Sequence, residues 1–244
     1  MYPSIRRNRT LIVNPAAFIV LCFGDSNTFG QRSEVGGRWP ADVRWTGRLQ
    51  KLLSNEYSVI EEGLGGRTTD LDDPERNDRN GRTYFQPCVR SHSPLDMVVI
   101  MLGTNDLKTK FDRGAEEIAT ALGGYIDDVE RTAWTRASGV PVILLVSPIH
   151  LDATKPAFAK LSSDYDANSV RKSRELSAAI RRIANRRNAL FVDAATVAHP
   201  GNDGTHLSLD SHEPLSKLIA QEIVKTRSSV RQSHPEPRWS QLPR

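Results

Sequence analysis

Short apolar runs recur along the chain and predict buried strands. They occupy residues 18–23, 59–60, 97–102, 140–146 and 190–192, and the second continues into polar residues. Continuous apolar runs rich in β-branched residues are typical of strands that are buried on both faces of a parallel sheet. The pattern therefore predicts five core strands.

Between these runs, apolar residues recur at helical spacing. The four stripes are Trp45, Leu49, Leu52 and Leu53; Ile118, Leu122, Tyr125 and Val129; Leu176, Ile180, Ile183 and Ala184; and Leu215, Leu218, Ile219 and Ile223. Alternating strand and helix signals predict an α/β fold, a flavodoxin-like three-layer α/β/α sandwich with a five-stranded, mostly parallel sheet. In such folds the functional residues lie in loops beyond the carboxyl ends of the strands.

The pattern indicates a single domain over residues 16–227. A chain of 244 residues is long enough to bury one large core, and no internal repeat or interdomain linker is visible. Residues 1–15 are expected to form an N-terminal extension. Residues 228–244 contain three prolines and are expected to form a disordered tail.

Composition supports a globular protein, with 38% hydrophobic and 25% charged residues and a formal net charge of +4. The positive charge is concentrated on one predicted helix. Its basic residues are Arg171, Lys172, Arg174, Arg181, Arg182, Arg186 and Arg187. No aromatic residues or nucleic-acid motif accompany them, so we interpret them as a solvated helix face and expect no nucleic-acid partner.

The N-terminal segment superficially resembles a signal peptide, because Arg6, Arg7 and Arg9 precede an apolar run. Asn14 and Pro15 interrupt that run, no A-x-A cleavage site follows, and the run continues into the first core strand. We therefore predict no signal peptide. No apolar stretch reaches the ~20 residues of a membrane span, so a cytoplasmic location without a membrane partner is expected.

Three polar motifs follow three of the predicted strands, and a fourth precedes the last predicted helix. They are GDSNT at 24–28, GLGGRTT at 63–69, GTND at 103–106 and DGTH at 203–206. A serine at a strand-to-helix turn exposes its hydroxyl beside backbone N–H groups that stabilise a developing negative charge. Glycines permit close substrate approach, and an asparagine adds a neutral N–H donor.

Taken together and in this order, the four motifs resemble those of the SGNH (GDSL-type) hydrolase superfamily. The resemblance covers about residues 18–224. It is closest to the bacterial arylesterase and acyltransferase branch through CFGDSxT, DVRWTG, VIEEGL, RTT, LDDP and IMLGTND. It implies a serine esterase in which Ser26 is the nucleophile, His206 the general base and Asp203 the triad acid. The backbone N–H groups of Ser26 and Gly66 and the Asn105 side chain would form the oxyanion hole.

Each role has an alternative from the residues alone. Ser26 could serve only as a helix N-cap, and Asn105 only as a turn residue. Gly65 could donate the N–H in place of Gly66, and Asp193 could be the triad acid. Of the six histidines, only His206 lies in a DxxH frame.

Other chemistries lack their motifs. The sequence contains no GxSxG, GxxxxGK[ST], GxGxxG or HExxH. An acidic stretch comprises Asp70, Asp72, Asp73, Glu75 and Asp78. It lacks the glycine and terminal glutamate of an EF-hand and is interpreted as a solvated loop. Of the two cysteines, Cys22 lies within an apolar run and is expected to be a buried small hydrophobe. No metal or cofactor is expected.

Substrate preference is less constrained, because the chain departs from the family pattern near the nucleophile. Asn27 replaces the usual leucine, and Phe29 stands where the arylesterase branch carries tryptophan. The candidate pocket residues are Asn27, Phe29, Trp39, Trp45, Arg67 and His150. Trp45 also belongs to the apolar helical stripe with Leu49 and Leu52, so it could be a core residue instead. Residues 150–168 show little resemblance and are expected to form a pocket wall or a subunit contact.

Short loops leave little sequence for a lid, which favours short-chain acyl and aryl esters, with acyl transfer to alcohols if the pocket excludes water. A carbohydrate O-acetyl esterase is the alternative, and a non-catalytic binding protein of the same fold is a third interpretation. The resemblance further implies a homo-oligomer with a small-molecule ester as substrate.

Overall fold

The computed structural model describes residues 14–34 and 36–233. Five strands and seven helices organise this part of the chain. The strands are β1 (Phe18–Gly24), β2 (Tyr57–Gly63), β3 (Met97–Met101), β4 (Val142–Ser147) and β5 (Leu190–Asp193). The helices are α1 (Ser26–Phe29), α2 (Trp45–Leu53), α3 (Gly81–His92), α4 (Ala115–Thr132), α5 (Phe158–Leu161), α6 (Ala167–Arg186) and α7 (His212–Ser233).

The five strands form one sheet in the order β2-β1-β3-β4-β5, and every neighbouring pair is parallel. This order confirms the predicted flavodoxin-like α/β sandwich. β2 lies on one side of β1, and β3, β4 and β5 follow on the other side. The strand order therefore reverses between β1 and β3, and the crevice for a ligand lies beyond the carboxyl ends of these two strands. Gly24 ends β1 opposite Gly63 of β2 and Met101 of β3, which brings three of the predicted motifs to the same edge.

Alternating strand residues face two separate apolar clusters, because successive side chains of a strand point to opposite faces of the sheet. Leu21 and Phe23 of β1 pack in the cluster that contains the buried faces of α3, α4 and α6. Val20 and Cys22 pack in the cluster that contains those of α2 and α7. The molecule therefore has three layers, with the sheet in the middle.

Two details differ from the sequence-based expectations. The helix α3 was not predicted, since Gly81 begins it and Pro87 lies inside it, both poor helix formers. Leu52, placed on a predicted core stripe, is 49% exposed, so the buried face of α2 consists of Trp45, Leu49 and Leu53.

The basic helix α6 presents its charges to solvent as predicted, because Leu176, Ile180 and Ile183 bury its opposite face. Several of its cations lie close to acids. The pairs are Arg171–Glu175, Lys172–Asp112 and Arg182–Glu116, and Arg187, just beyond the helix, pairs with Asp127 and Glu130. Across the described residues, no helix is both long and apolar enough to span a membrane. The predicted tail falls partly outside the described residues, and α7 extends to Ser233, beyond residue 227.

Candidate active site

Ser26 lies at the first position of the one-turn helix α1, directly beyond β1. The Asp25 carboxylate caps this helix by accepting a hydrogen bond from the Asn27 N–H at 2.9 Å. Gly24 is required immediately before the turn. A Cβ there would lie 2.7 Å from the Met101 carbonyl oxygen and 2.1 Å from Thr28 Oγ1. The tight packing fixes the serine at the edge of the sheet.

The loop after β5 brings His206 to Ser26 although 180 positions separate them. His206 Nε2 lies 2.9 Å from Ser26 Oγ, and His206 Nδ1 lies 2.6 Å from Asp203 Oδ2. A carboxylate only accepts hydrogen bonds, so Nδ1 carries the proton and Nε2 accepts from the Ser26 hydroxyl. The other Asp203 oxygen accepts from the N–H groups of Thr205 and His206, each at 2.9 Å.

The alternative acid, Asp193, has different partners. Its carboxylate accepts hydrogen bonds from Ser177 Oγ at 2.5 Å and from the Ala195 N–H at 3.0 Å. His206 therefore pairs with Asp203 and not with Asp193 in this structure.

Residues 150–162 support the loop that carries Asp203. The Asp152 N–H donates to the Gly204 carbonyl at 2.9 Å, and Ser162 Oγ donates to the Asp203 carbonyl at 2.8 Å. Gly204 has φ 72°, and a Cβ there would lie 2.3 Å from the Asp152 carbonyl oxygen. Within residues 150–168, for which the sequence predicts a pocket wall or a subunit contact, these residues pack against the loop that carries Asp203.

Asn27 is a cross-link and not a pocket wall. Its side chain is 2% exposed; Oδ1 accepts from the Leu207 N–H at 2.8 Å and Nδ2 donates to the Thr205 carbonyl at 3.4 Å. The asparagine that replaces the family's leucine thus ties α1 to the loop that carries His206.

Gly66 and Asn105 lie on the other two motifs at this edge. Gly66 is buried and adopts φ 80°, a conformation that favours glycine. Asn105 is 5% exposed, and its Nδ2 donates to the Arg67 carbonyl at 3.1 Å, which leaves one N–H of that amide for a ligand. Among the described residues, no protein acceptor is recorded for the backbone N–H groups of Ser26 and Gly66.

Asp106 secures this arrangement, a role that the sequence reasoning missed. Its fully buried carboxylate accepts from the Thr69 N–H at 3.1 and 3.0 Å and from Thr69 Oγ1 at 2.5 Å. Arg113 donates to the same carboxylate at 3.2 Å. Burial raises the pKa of Asp106, and these hydrogen bonds oppose the rise. Asp106 therefore joins the GTND motif to the GLGGRTT loop.

Asp25 has an unusual environment for an acid beside the nucleophile. Burial raises the pKa of its carboxyl to about 6, although the hydrogen bond from the Asn27 N–H acts in the opposite direction. Its Oδ2 atom is buried and has no hydrogen-bond partner among the described residues.

The remaining pocket candidates lie in different surroundings. Trp45 is fully buried and its indole N–H donates to the Asn27 carbonyl at 3.0 Å, so it belongs to the core. Arg67 is 3% exposed and donates to the Gly24 carbonyl at 2.8 Å; this places its guanidinium in structural contacts. His150 is half-buried, and burial lowers its pKa.

Two aromatic candidates are partly exposed and carry arginine guanidinium groups on their rings. The Arg38 guanidinium carbon lies 4.5 Å from the centroid of Phe29, and that of Arg32 lies 4.6 Å from Trp39. The backbone N–H of Trp39 donates to the Gly30 carbonyl at 2.8 Å, which anchors this segment to the residue directly after α1. These rings are the candidates that lie beside the nucleophile turn and are still open to solvent.

A serine hydrogen-bonded to an Asp-paired histidine, at the carboxyl edge of a parallel sheet, is the arrangement of a serine hydrolase. The model of the GDSL-like lipase/acylhydrolase family matches residues 22–217. The chain belongs to that family, the SGNH hydrolases, and is a carboxylic ester hydrolase.

Solved structures agree with this assignment. A carbohydrate acetylesterase from Sinorhizobium meliloti is 37% identical, with a TM-score of 0.79 over 86% of this chain and 99% of the other. The aryl esterase of M. smegmatis is 34% identical, with a TM-score of 0.78 over the same shares. A putative arylesterase from Agrobacterium tumefaciens is 32% identical, with a TM-score of 0.77 over 85% and 99%. No match to a curated protein sequence was found.

Proposed function

We propose that this chain hydrolyses short-chain acyl and aryl esters through an acyl-enzyme on Ser26. The observation that carries the proposal is the continuous hydrogen-bond chain from Asp203 through His206 to Ser26, with distances of 2.6 and 2.9 Å. Both distances lie within the reach that proton transfer between a nucleophile and its base requires.

In the first half of the reaction, His206 Nε2 takes the Ser26 proton while Ser26 Oγ attacks the ester carbonyl carbon. The new C–O bond pushes the carbonyl electrons onto oxygen. His206 then gives the proton to the leaving alcohol as the tetrahedral intermediate collapses to the acyl-enzyme. Asp203 keeps the imidazole in the required tautomer and stabilises the imidazolium. Water, activated by His206 in the same way, hydrolyses the acyl-enzyme.

The negative charge on the tetrahedral oxygen requires donors fixed in advance. We assign this role to the backbone N–H groups of Ser26 and Gly66 and to Asn105 Nδ2. Support comes from the burial of Gly66, whereas Gly65 is half-exposed, and from the anchoring of Asn105 on the Arg67 carbonyl. Loss of one such donor costs about 2.7–4 kcal/mol of transition-state stabilisation.

The short helix α1 and its flanking loops favour small acyl groups. The buried Asn27 and Trp45 support the turn from the core, and the partly exposed Phe29 and Trp39 are the side chains that we propose bound the acyl group. An alcohol in place of water would give acyl transfer on the same acyl-enzyme. As the resemblance suggests, we also propose that the chain works as a homo-oligomer.

A carbohydrate acetylesterase is the second candidate. It is favoured by the 37% identity to such an enzyme and by the two arginines over Phe29 and Trp39, which would offer hydrogen-bond donors to sugar hydroxyls. The acyl-enzyme chemistry would be unchanged, and only the alcohol part of the ester would differ.

Initial rates on p-nitrophenyl esters from acetate to palmitate test the proposal. We expect rates to be highest for acetate and butyrate, and Ser26→Ala to lower kcat by at least about 10⁴-fold. Asp203→Asn should lower kcat by about 10⁴-fold, whereas the control Asp193→Asn should leave kcat within a few-fold of wild type. Equal losses in the two aspartate variants would contradict the triad assignment. Acetylated oligosaccharides hydrolysed much faster than the aryl esters would favour the second candidate.

A further inference from the structure

Three side chains that commonly bind transition metals converge between α3 and the edge strand β2. The carboxylate of Glu62, the thiol of Cys88 and the imidazole of His92 place one ligand atom each within 4.8 Å of one another. His92 Nε2 already lies 2.8 Å from Glu62 Oε1. None of the three takes part in the proposed ester chemistry.

The positions of these side chains follow from regular elements. Cys88 and His92 are four residues apart on α3 and therefore lie on the same helix face. Glu62 is the penultimate residue of β2 and pairs in register with Phe23 of β1. Phe23 in turn packs edge-on against Phe85 of α3, with ring centroids 4.8 Å apart. Both elements that carry the three side chains are thus held by the core.

We propose that Cys88 Sγ, His92 Nε2 and a Glu62 carboxylate oxygen bind one Zn²⁺ ion, with water as the fourth ligand. Thiolate, imidazole and carboxylate are the ligands that Zn²⁺ takes in proteins, and a tetrahedral site places them roughly 3.3–3.8 Å apart. Because the present separations do not exceed 4.8 Å, we expect side-chain rotations to close the difference. Two ligands four residues apart on one helix and a third from a neighbouring element form a common zinc-site arrangement.

An ion would reach the three side chains from the side of Glu62 and His92. Glu62 also lines a surface cleft of about 520 Å³, together with Tyr84, Pro87 and Arg67, whereas Cys88 and His92 do not line it. The His92 and Glu62 side chains retain 29% and 19% of their exposure, respectively, whereas Cys88 is 1% exposed. The site thus has a soft ligand at its base and two harder ligands at its open side.

Ion binding changes the charge balance in a defined way. The Cys88 thiol loses its proton to solvent, and the Cys88 Sγ–Zn bond replaces the S–H bond. His92 Nε2, which donates its proton to Glu62 Oε1 at 2.8 Å, gives up that proton as Nδ1 takes one from solvent, and the bonds from Nε2 and Oε1 to zinc replace the hydrogen bond between them. Burial, followed by the Glu62 charge, raises the pKa of Cys88 to about 12, and the Arg67 guanidinium opposes that rise. Arg67 itself is fixed by the Gly24 and Glu62 carbonyl oxygens, at 2.8 and 2.5 Å. Tyr84 donates to Glu62 Oε2 at 3.3 Å, so the ion would bind Oε1, in place of the present hydrogen bond from His92.

Cobalt(II) titration of the metal-free full-length protein tests the site, because a thiolate ligand produces a sulfur-to-cobalt charge-transfer band in the near ultraviolet. We expect one Co²⁺ per chain, a saturable band, and displacement of Co²⁺ by Zn²⁺. Cys88→Ser should abolish the band, and His92→Gln and Glu62→Gln should each weaken binding at least tenfold.

The chain offers matched controls. Cys22 is the other cysteine and is fully buried in the opposite cluster, and His199 forms a surface pair with Asp210 at 3.5 Å. Cys22→Ser and His199→Gln should bind Co²⁺ as the wild type does, with the band intact. The absence of a band in the wild type, or a band that persists in a folded Cys88→Ser variant, would overturn the proposal. The wild-type titration decides the matter even if a variant fails to fold.

Discussion

At the scale of single residues, burial of the Asp25 carboxyl destabilises its charged form in the folded protein. Its carboxyl has an ordinary pKa of 3.8, which rises to about 6 in the folded protein because of burial. Well below pH 3.8 the carboxyl is protonated in both the folded and the unfolded state, and the destabilisation vanishes. Between about pH 4 and pH 6 the unfolded chain loses this proton while the folded protein keeps it, so stability falls by about 3 kcal/mol in total and levels off above pH 6.

Asp25→Asn should therefore become relatively more stable as pH rises. Between pH 4 and pH 8, we expect its free energy of unfolding to gain about 3 kcal/mol on that of the wild type. Urea denaturation at both pH values measures this. Asp152→Asn is a control of opposite sign, because hydrogen bonds from Thr154 lower the pKa of Asp152; removal of that charge should reduce stability at pH 8. If the difference in free energy of unfolding between Asp25→Asn and wild type does not change with pH, the pKa of Asp25 is not raised in the folded protein.

Single residues also show where sequence reasoning stops. Ser26, Asp203 and His206 were proposed because their motifs lie at predicted strand ends or before the last helix, and the structure places their side chains in one hydrogen-bonded chain. Asn27 was placed in the pocket, yet it is a buried cross-link to Thr205 and Leu207. Nothing in the local sequence distinguishes these roles, since the partners of Asn27 lie about 180 positions away.

At the scale of elements, two adjacent glycines of α4 should respond oppositely to the same change. A Cβ at Gly123 would lie 3.6 Å from Ile183 Cγ2, an ordinary contact, whereas a Cβ at Gly124 would lie 2.0 Å from Arg82 Nη1. Arg82 pairs with the buried carboxylate of Asp128. Gly123→Ala should stabilise the protein by about 0.5–1 kcal/mol through helix propensity.

Gly124→Ala gains the same propensity but displaces Arg82 from Asp128. A hydrogen bond to a charged group is worth about 1.5–3 kcal/mol, so this variant should be at least about 1 kcal/mol less stable than Gly123→Ala. Urea denaturation of both variants beside the wild type gives the comparison. Equal stabilisation by the two substitutions would show that the Arg82 pair contributes little.

Strands that are covered by helices on both faces were predicted more accurately than the other elements. The strands β1, β3 and β4 are nearly continuous apolar runs because helices cover both of their faces, and the sequence located them within a few residues. β2 is one of the two edge strands and contains Glu61 and Glu62, which bind Arg44 and His92, so its apolar signal covers only two residues. The helix α3 was not predicted because Pro87 and polar residues interrupt its apolar pattern, although Phe85, Cys88 and Val89 are buried.

At the scale of the whole molecule, the site exists only when both ends of the domain are folded, since Ser26 and His206 come from opposite ends. The two apolar clusters share the same strands, so loss of one should remove the support of the other. Urea unfolding should therefore give one midpoint for far-ultraviolet circular dichroism, the fluorescence of the four tryptophans and esterase activity. Leu122→Ala in one cluster and Ile219→Ala in the other should each cost about 2–5 kcal/mol and shift all three midpoints together. Activity that disappears at lower urea than the other signals would instead identify residues 201–207 as a separately unfolding unit, less stable than the sheet that positions Ser26.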